Sequence, residues 1–427
     1  MPTRAKQAAI VEGRRTPFVK AGTVFAGLDV FDLGRTAAVE TVQRSEIDPA
    51  EIDQIVFGNV SRPVRHHNLA REIGLTSGLT RTTPAFTVSL ACASACQAAT
   101  CGVDLIERGY AHAVLTGGAE SLSNVPLQYS DGLARAVVGA AQAKTMPARL
   151  QSLAQVRLKD LAPVTPGIRE TSTGLTMGES AEIMAKVNHL ARQEQDELAL
   201  RSHERAARAL AECRLSREVV PVFLPDGRAV TEDSHIRADT SLDKLAALRP
   251  VFDRGHGTIT AGNSSPLTDG AGALLLVSGK KARELGVRPR AWVRSYAYAA
   301  VDPNDQLLLG PAYAIPLALD RAGVTLADVD LVEMHEAFAA QVLATTRALA
   351  SRRFAEEKLG RDEPVGEIDP ERLNVNGGSI ALGHPFGATG ARVLISLANE
   401  MERRDARLGL ASVCAAGGIG CAIVLER

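Results

Sequence analysis

The 427-residue chain has few aromatic residues and no excess of basic charge. Aromatic side chains make up 4% of it, with a single tryptophan, so it has little material for the aromatic surfaces on which single-stranded nucleic acids stack their bases. Its 48 basic and 49 acidic side chains give a net charge of −1, whereas nucleic-acid-binding proteins carry clustered positive charge. We therefore expect no nucleic-acid partner.

Long hydrophobic runs and targeting segments are also absent from the sequence. No apolar stretch reaches the roughly 18 residues that a membrane-spanning helix needs. The N-terminus enters a strand-like run by Ala8, which leaves no room for the apolar core of a signal peptide. The last six residues, AIVLER, do not form a Ser-Lys-Leu type of address. These observations predict a cytoplasmic protein.

Cysteine is scarce, and its spacing matches neither a disulfide framework nor a zinc motif. The six cysteines are Cys92, Cys96, Cys101, Cys213, Cys414 and Cys421. So few cysteines in so long a chain, mostly in apolar surroundings, indicate reduced thiols. A zinc site would need a second closely spaced ligand pair, and the neighbouring His66 and His67 stand alone. We therefore expect no metal.

Two similar segments suggest that the chain contains an internal repeat. IDPAEIDQIVFGN starts at Ile47 and VTLADVDLVEMHE starts at Val324. Each follows a helical pattern, residues 33–45 and 311–322, and runs from an acidic turn into an apolar strand. Alternating strands and helices predict α/β layers around a mixed sheet. We interpret the chain as a duplicated α/β unit; the alternative is chance similarity, because short strand–helix pieces are common.

Between the two halves the pattern becomes mostly helical. Strand patterns are rare from about Asn124 to Gly255, whereas residues 190–213 are rich in helix formers and charge. We therefore predict an inserted, mainly helical domain. The predicted divisions are 1–123 with 256–285 for the N-terminal half, 124–255 for the insertion, and 286–427 for the C-terminal half.

One segment of this insertion, Leu133 to Lys159, is basic and contains no acidic residue. Its basic residues are Arg135, Lys144, Arg149, Arg157 and Lys159. Three interpretations stay open: a solvated basic surface, a contact with a phosphate-bearing ligand or partner, and a contact with a membrane surface.

Cys92 is the first candidate for chemistry. Residues 86–91 form an apolar, strand-like run, and CASACQAATCGVDLIERG after it has helical character, which places Cys92 at or near a helix N-terminus. There the helix dipole favours an anion, and we expect a thiol that ionises well below its usual pH range. Cys96 and Cys101 lie deeper in the helix and are better explained as small apolar packing residues. A packing role for Cys92 itself is the alternative.

Three further residues suggest acyl transfer. His384 lies in the glycine-rich stretch NVNGGSIALGHPFGATGAR, Cys414 ends a buried strand just before two glycines, and His335 follows the strand of the second repeat. A zinc His-Glu-x-x-His motif would need histidine where Ala339 stands. Two cysteines and two histidines suit acyl transfer with one thiolate nucleophile, one thiol acting as acid or base, and imidazoles that activate and orient them.

Four of these stretches resemble motifs of the thiolase family. CASACQA resembles its nucleophile motif, HEAFA a variant of its Asn-Glu-Ala-Phe motif, GGSIALGHPFGATGAR its histidine loop, and CAAGGIG its second-cysteine motif. They occur in the family's order and cover nearly the whole chain. The resemblance implies a duplicated five-layered αβαβα core with an inserted loop domain. Histidine at position 335, the long insertion and TAGNSSPLTDGA look most like the β subunit of the fatty-acid oxidation multienzyme complex, in its trifunctional or anaerobic form.

The resemblance also implies a role for each residue. Cys92 would take the acyl group, His384 would accept its proton, and Cys414 would move the proton at C2 of acetyl-CoA. His335 would hold a water in a first oxyanion hole, and the backbone N–H groups of Cys92 and Ala416 would form a second one. Ala416 stands where the family usually has glycine, so the second hole survives unless the methyl group changes the backbone φ.

Ligands and partners follow from the same resemblance. Four residues match positions along the coenzyme A groove: Ser265, Arg237, Met177 and Phe338. Loop and core packing is the alternative explanation of these four residues. Coenzyme A would be a substrate, and no cofactor or metal would be required. Because thiolases form dimers or dimers of dimers, the resemblance implies one of these assemblies. It also implies an association with a hydratase/dehydrogenase α subunit, which is usual in this subgroup.

The implied activity is thiolytic cleavage of a 3-ketoacyl-CoA in fatty-acid β-oxidation. The nearest rival is the reverse reaction, biosynthetic condensation of two acetyl-CoA molecules, which would use the same motifs. A decarboxylating ketoacyl synthase fits less well, because it has no second active cysteine. A rival of another class is a catalytically inactive assembly subunit of a complex.

Overall fold

The computed structural model describes residues 3–164 and 169–427. Residues 1, 2 and 165–168, which belong to the predicted N-terminal half and insertion, lie outside this description. The strands of the described chain are β1 Ala8–Arg15, β2 Val19–Lys20, β3 Gln54–Gly58, β4 Ala85–Val88, β5 Ala113–Glu120, β6 Val222–Phe223, β7 Ala229–Val230, β8 Thr268–Ser278, β9 Ala291–Ala300, β10 Leu331–Met334, β11 Leu408–Ala415 and β12 Ile419–Glu426.

The α-helices alternate with these strands in both halves of the chain. They are α1 Val30–Ser45, α2 Leu69–Thr76, α3 Ser94–Glu107, α4 Asp131–Gln142, α5 Met146–Leu153, α6 Met177–Val187, α7 Arg192–Ala211, α8 Leu242–Ala246, α9 Gly279–Leu285, α10 Gly310–Ala322, α11 Ala339–Ala350, α12 Arg352–Phe354, α13 Ser379–Leu382 and α14 Thr389–Arg404.

The two halves build the same strand pattern, which confirms the predicted duplication. In the N-terminal half β3 is parallel to β5, and β5, β8 and β1 are antiparallel neighbours. In the C-terminal half β10 is parallel to β11, and β11, β12 and β9 are antiparallel neighbours. The predicted repeat segments are thus β3 and β10, each preceded by a helix, α1 or α10. The halves meet where β1 pairs with β9 through Ile10 and Ala291.

Five layers follow from how the helices cover these sheets. Helices α3 and α14 lie between the two halves and share one hydrophobic core with the inner faces of both sheets. Helix α1 packs on the outer face of the N-terminal sheet, and α10 and α11 pack on the outer face of the C-terminal sheet. The predicted αβαβα fold is therefore confirmed.

A small residue lets the two central helices approach closely. A Cβ atom placed on Gly390 of α14 would lie 2.6 Å from the backbone nitrogen of Cys96 in α3 and 2.6 Å from its sulfur, too close for any side chain. Cys96 is 1% exposed. The predicted packing role of Cys96 agrees with this position.

The insertion occupies one loop of the N-terminal unit. Residues 121–267 separate β5 from β8, whereas a three-residue turn, Ala416–Gly418, joins the corresponding strands β11 and β12. The described part of this insertion contains five helices, α4 to α8, and the short hairpin β6–β7, so its mainly helical character is as expected. The outer limits of the three units stay a prediction. Within the described chain, no helix combines the length and the apolar character that crossing a membrane requires.

Candidate functional site

Cys92 lies in a tight turn between β4 and α3. Ala91 before it has φ 45°, a left-handed conformation that is unfavourable for alanine. The Ser94 hydroxyl fixes this turn, because it accepts from the Leu90 N–H at 2.8 Å and donates to the Ala91 carbonyl at 2.6 Å. Helix α3 begins two residues after Cys92 with no side-chain cap. Backbone strain of this kind is typical of functional sites, where the surrounding structure holds it in place.

His384 reaches Cys92 from the loop between α13 and α14. Its Nε2 lies 3.1 Å from the Cys92 sulfur, and its Nδ1 lies 2.6 Å from Oγ1 of Thr389, the first residue of α14. Gly383, at φ 112°, makes the turn into this loop, a conformation that glycine adopts without strain. If Nε2 accepts the thiol proton, Nδ1 carries the ring hydrogen and donates it to Thr389.

Glu120 at the end of β5 holds the histidine loop against the N-terminal half. Its carboxylate accepts from the backbone N–H groups of Val60, Ser61 and Gly387 at 2.9–3.1 Å and from the Asn59 side chain at 3.2 Å. Gly387 belongs to the C-terminal half, so this buried carboxylate ties the two halves together beside the thiol. Glu120 was not predicted from the sequence, because no spacing pattern marks it.

His335 faces His384 from the end of β10. Its backbone N–H donates to the Ser412 carbonyl of β11 at 2.8 Å, and the two imidazole ring centres lie 4.2 Å apart. His335 Nδ1 lies 2.7 Å from the Ser379 hydroxyl, which accepts a hydrogen bond from Arg392 at 2.9 Å. His335 Nε2 is buried and has no hydrogen-bond partner among the described residues.

These hydrogen bonds favour one tautomer of the neutral His335 ring. Because Ser379 already accepts from Arg392, its own hydroxyl hydrogen is available to donate to His335 Nδ1. The ring hydrogen then lies on Nε2 and faces Cys92 and His384. The Cys92 sulfur and one ring nitrogen of each histidine lie within 4.8 Å of one another. The two histidines thus have opposite tautomers, one presenting a lone pair and the other an N–H donor.

A buried ion pair supports the two histidines from behind. Arg392 has no exposed surface and its guanidinium lies 2.8 Å from Glu333. Burial raises the pKa of Glu333, and the guanidinium of Arg392 opposes this rise and favours the carboxylate. Burial and the positive charge of Arg392 lower the pKa of His384 to about 3 and also lower that of His335. Both imidazoles are therefore neutral in the resting site.

Glu336, next to His335, has a structural position. Its carboxylate accepts from the Ser202 hydroxyl at 2.7 Å, from the Asn374 amide at 2.7 Å and from the Ile380 N–H at 3.1 Å. These contacts join helix α7 of the insertion to the two loops that carry the histidines. Glu336 is therefore saturated with donors, and its contacts do not include the thiols.

Cys414 and Ala416 complete the cluster from the end of β11. Cys414 is 1% exposed, and burial raises the pKa of its thiol well above the usual range. The backbone N–H groups of Ala416 and of Cys92 itself lie near the Cys92 sulfur, where they favour the thiolate and lower its pKa. Ala416 does not have a positive φ, whereas Gly417 and Gly418 do, at 81° and 73°. The methyl group at Ala416 therefore leaves its N–H in place.

The predicted low pKa of Cys92 is wrong for the resting protein. Burial raises the pKa of the thiol to about 12, and the hydrogen bonds from Ala416 and from the Cys92 N–H only partly offset this increase. Removal from water disfavours the thiolate more than the nearby helix end favours it. The resting pair is a neutral thiol beside the neutral imidazole of His384.

Three of the four residues predicted to bind coenzyme A lie beside this cluster. The Ser265 N–H and hydroxyl both donate to the Ala337 carbonyl, at 3.0 and 3.1 Å. Phe338 follows Ala337 and stacks edge-on against Phe252 at 6.3 Å. Met177 packs against the apolar cluster that contains Cys414.

The fourth residue, Arg237, lies elsewhere. It is exposed, and its backbone N–H donates to His203 of α7 at 3.2 Å. Among the described residues, its recorded contacts do not reach the Cys92 cluster.

The residues that orient the histidines were not predicted from the sequence either. Ser379, Thr389 and Arg392 all lie within the glycine-rich segment that singled out His384, so that segment carried the signal. Glu333 precedes His335 in an apolar strand and resembles an ordinary surface carboxylate in sequence. Only the fold shows that Glu333 is buried against Arg392.

Comparison with known proteins gives family matches along almost the whole chain. The model of the thiolase N-terminal domain matches residues 8–280, and that of the thiolase C-terminal domain matches residues 287–427. A 3-ketoacyl-CoA thiolase of Yersinia enterocolitica is 49% identical over 419 residues, 98% of this chain and 96% of that protein. A protein of the same name from Escherichia fergusonii is also 49% identical over 419 residues, with the same coverage.

Solved structures agree with these matches. Human mitochondrial 3-ketoacyl-CoA thiolase superposes with a TM-score of 0.85 at 31% identity, covering 99% of each chain. The Bacillus anthracis acetyl-CoA acetyltransferase superposes with a TM-score of 0.84 at 31% identity, covering 98% of each chain. The duplicated five-layer fold, the four sequence motifs and these matches agree, and the chain belongs to the thiolase family.

Proposed function

We propose that this protein is a 3-ketoacyl-CoA thiolase, an acetyl-CoA C-acyltransferase that cleaves 3-ketoacyl-CoA with coenzyme A in fatty-acid β-oxidation. The observation that carries the proposal is the 3.1 Å contact between the Cys92 sulfur and His384 Nε2, with the second thiol of Cys414 buried beside it. The names of the relatives at 49% identity support the same activity.

Acylation begins with the neutral Cys92–His384 pair. The thiol proton passes to His384 Nε2 as the sulfur attacks C3 of the substrate, and Thr389 holds the imidazolium through Nδ1. The thiolate therefore forms during the attack and does not pre-exist in the resting site. General-base assistance of this kind accounts for roughly 10²–10⁴-fold of a rate enhancement.

Cleavage breaks the bond between C2 and C3. The electron pair moves to C2 of the departing acetyl-CoA, and the Cys414 thiol donates its proton to that carbon. This step leaves an acyl-Cys92 thioester, an imidazolium at His384 and a thiolate at Cys414. The raised pKa of Cys414 keeps it protonated until this step.

A second coenzyme A completes the cycle. Its thiol gives its proton to the Cys414 thiolate and its sulfur attacks the acyl-Cys92 carbonyl. Cys92 leaves as a thiolate and recovers its proton from His384. All groups return to their starting states, so the reaction follows ping-pong kinetics and consumes no redox equivalents.

Two sets of donors would stabilise the oxyanions. The N–H groups of Cys92 and Ala416 bind the oxygen that develops on C3, because Ala416 begins the turn that follows Cys414 and both N–H groups act on the Cys92 thiol. The Nε2–H of His335 faces the other side of the cluster, where it donates to a water or to the thioester oxygen of acetyl-CoA. Preorganised donors in a water-poor site each contribute about 2.7–4 kcal/mol of transition-state stabilisation.

Coenzyme A enters this scheme as a substrate, and the chemistry needs no resident cofactor. We assign Ser265, Phe338 and Met177 to the walls of its groove near the thiols, because they border the segment Ala337–Phe338 or the Cys414 cluster. Arg237 is exposed, and its contacts do not reach the Cys92 cluster. We therefore assign it to the distal, phosphate-bearing end of coenzyme A.

Measuring activity on 3-ketoacyl-CoA substrates of different chain lengths tests the proposed thiolysis against the alternative functions. We expect thiolysis of C10 to C16 substrates as well as the C4 substrate. Exclusive use of the C4 substrate would replace this proposal with biosynthetic acetoacetyl-CoA condensation. Decarboxylation of a malonyl thioester would indicate a ketoacyl synthase. No turnover of any of these substrates by the folded protein would leave only the inactive assembly subunit.

For the assembly, we propose that two copies of the chain pair near the nucleophile. Strand β4, which leads directly to Cys92, is an edge strand of its sheet and leaves Phe86 37% exposed. Exposed strand edges are natural sites for pairing between identical chains. Sedimentation velocity of the wild type and of Phe86→Arg tests this contact, and we expect the variant to shift toward monomer. The hydratase/dehydrogenase α subunit stays an expectation, which co-purification would test.

For the basic segment, we propose contact with an anionic membrane surface. Helices α4 and α5 carry this segment, and only Ala136 of the two helices is buried. Apolar side chains that would face a core in most helices are open to solvent: Met146 is 63% exposed and Leu150 is 61% exposed. Exposed apolar and basic side chains together are typical of helices that bind the lipid interface. A cytoplasmic location is compatible with such peripheral contact.

A further inference from the structure

Three side chains of types that bind zinc meet at the thiol. The Cys92 sulfur and one ring nitrogen each of His335 and His384 lie within 4.8 Å of one another. Thiolate sulfur and imidazole nitrogen are preferred zinc ligands, and three protein ligands with one open position are sufficient for a tetrahedral site. His335 and His384 are 49 positions apart and Cys92 is more than 240 positions from either, so the short-spacing motifs that led us to expect no metal could not reveal them.

The nitrogen atoms facing the sulfur are not occupied by other protein groups. His335 is fully buried and its Nε2 has no partner among the described residues, although a buried polar atom without a partner is energetically unfavourable. The recorded contact of His384 Nε2 is with the Cys92 thiol. A cation that replaces the thiol proton would therefore contact all three atoms.

The outer nitrogens of both rings are already held by hydroxyl groups. His384 Nδ1 lies 2.6 Å from Thr389 Oγ1 and His335 Nδ1 lies 2.7 Å from Ser379 Oγ. Histidines that bind metals almost always use the other ring nitrogen in such a hydrogen bond, which fixes the ring orientation. On metal binding, His335 would move its hydrogen from Nε2 to Nδ1 and donate it to the second lone pair of Ser379.

We propose that Cys92, His335 and His384 form an inhibitory binding site for a borderline-soft divalent cation, of which Zn²⁺ is the type. The Cys92 thiol releases one proton to solvent, the sulfur and the two Nε2 atoms bind the cation, and water takes the fourth position. Bound metal blocks the nucleophile Cys92 and occupies the lone pair of the base His384, so it inhibits thiolysis. The inhibition rests on the proposed function, whereas the binding of the metal does not.

The charges around the site permit one cation. Arg392 lies behind both histidines and disfavours it, but Glu333 neutralises Arg392 in a 2.8 Å ion pair. The buried carboxylate of Glu120 lies close enough to raise the pKa of the Cys92 thiol, and its negative charge favours a cation there. A thiolate formed on binding adds a further negative charge.

Titration of the metal-free, full-length protein with Co²⁺ tests the proposal, because thiolate-bound Co²⁺ has a charge-transfer band that needs no turnover. We expect one Co²⁺ per chain, displaced by Zn²⁺, and loss of the band in Cys92→Ala. Ser379→Ala, outside the ligand set, should weaken binding by about 10–100-fold. The matched control is Cys213→Ser, which removes an exposed thiol far along the chain and should bind as the wild type does.

A band that persists in Cys92→Ala, or one that disappears in Cys213→Ser, would overturn the proposal. The band does not depend on turnover. If the protein binds Co²⁺ but shows no thiolysis, the metal site is supported and the proposed function is rejected. If the protein shows full thiolysis but does not bind Co²⁺, the proposed function is supported and the metal site is rejected.

Discussion

His384 Nε2 lies 3.1 Å from the Cys92 sulfur although 292 residues separate the two in sequence. The contact exists because the duplicated units face each other across the central helices α3 and α14. Cys92 precedes α3 of the first unit, and His384 precedes α14, its counterpart in the second. Each unit therefore contributes the turn before its central helix, and neither could form the site alone.

Replacing Cys92 by serine should abolish thiolysis and leave the fold intact. A serine hydroxyl is a far poorer nucleophile than sulfur at this site, so we expect a loss of at least about a thousandfold in kcat. Mass spectrometry after rapid quenching should show an acyl adduct on Cys92 in the wild type and none in the variant. Cys96→Ala is the control and should retain the adduct; an adduct on Cys96 would contradict the mechanism.

Alkylation of Cys92 by iodoacetamide should depend steeply on pH. Because burial raises the pKa of the thiol to about 12, the reactive thiolate fraction, and with it the rate, should rise about tenfold per pH unit between pH 6 and 10. His384, with its pKa lowered to about 3, stays neutral across this range and adds no step. A rate that levels off near neutral pH would instead indicate a preformed thiolate–imidazolium pair.

Ser379→Ala should slow turnover by roughly 10–100-fold with little change in KM. Ser379 is a positioning residue: without its hydroxyl, nothing holds the ring hydrogen of His335 on Nε2, and the donor facing the substrate is lost part of the time. The matched control is Ser412→Ala, which removes a buried hydroxyl that donates to the Cys421 carbonyl at 2.9 Å.

A purely structural effect would not change the tautomer of His335. ¹⁵N chemical shifts of labelled histidine should show the His335 hydrogen on Nε2 in the wild type and in Ser412→Ala. In Ser379→Ala we expect a mixture with Nδ1. Unchanged shifts together with a slower rate would show that Ser379 acts only through stability.

The fold and the reacting residues were largely predictable because local patterns carry them. The acidic turns that lead into β3 and β10 revealed the repeat, and the glycines around His384 marked a loop with no packing role. The supporting network was not predictable in the same way. Glu120 bonds to Gly387 and Glu333 bonds to Arg392 across the fold, and such long-range pairs leave no periodic trace.

The pKa of Cys92 shows the opposite limit of sequence reasoning. Its position near a helix N-terminus was predicted correctly, and a helix end alone would lower the pKa. Its half-buried position beside Cys414 was not visible in the sequence, and desolvation has the larger effect on its pKa. The sign of the shift therefore depended on packing, which only the three-dimensional structure supplies.

The exposed hairpin formed by α4 and α5 should bind anionic vesicles. Co-sedimentation with phosphatidylcholine vesicles that contain phosphatidylserine should exceed that with phosphatidylcholine alone, and added salt should weaken it. Reversing the charge in Arg149→Glu should reduce binding by roughly tenfold, since each basic side chain near such a surface contributes about 1 kcal/mol. Leu150→Ser should also weaken binding, because that side chain is 61% exposed.

Arg353→Glu provides the matched control for the hairpin. Arg353 is an exposed arginine on α12, outside the insertion, and its reversal changes net charge by the same amount. We expect this variant to bind vesicles as the wild type does. Equal losses in Arg353→Glu and Arg149→Glu would show that net charge alone drives adsorption. Absence of vesicle binding at low salt would mean that the apolar side chains of α4 and α5 face a protein partner instead of lipid.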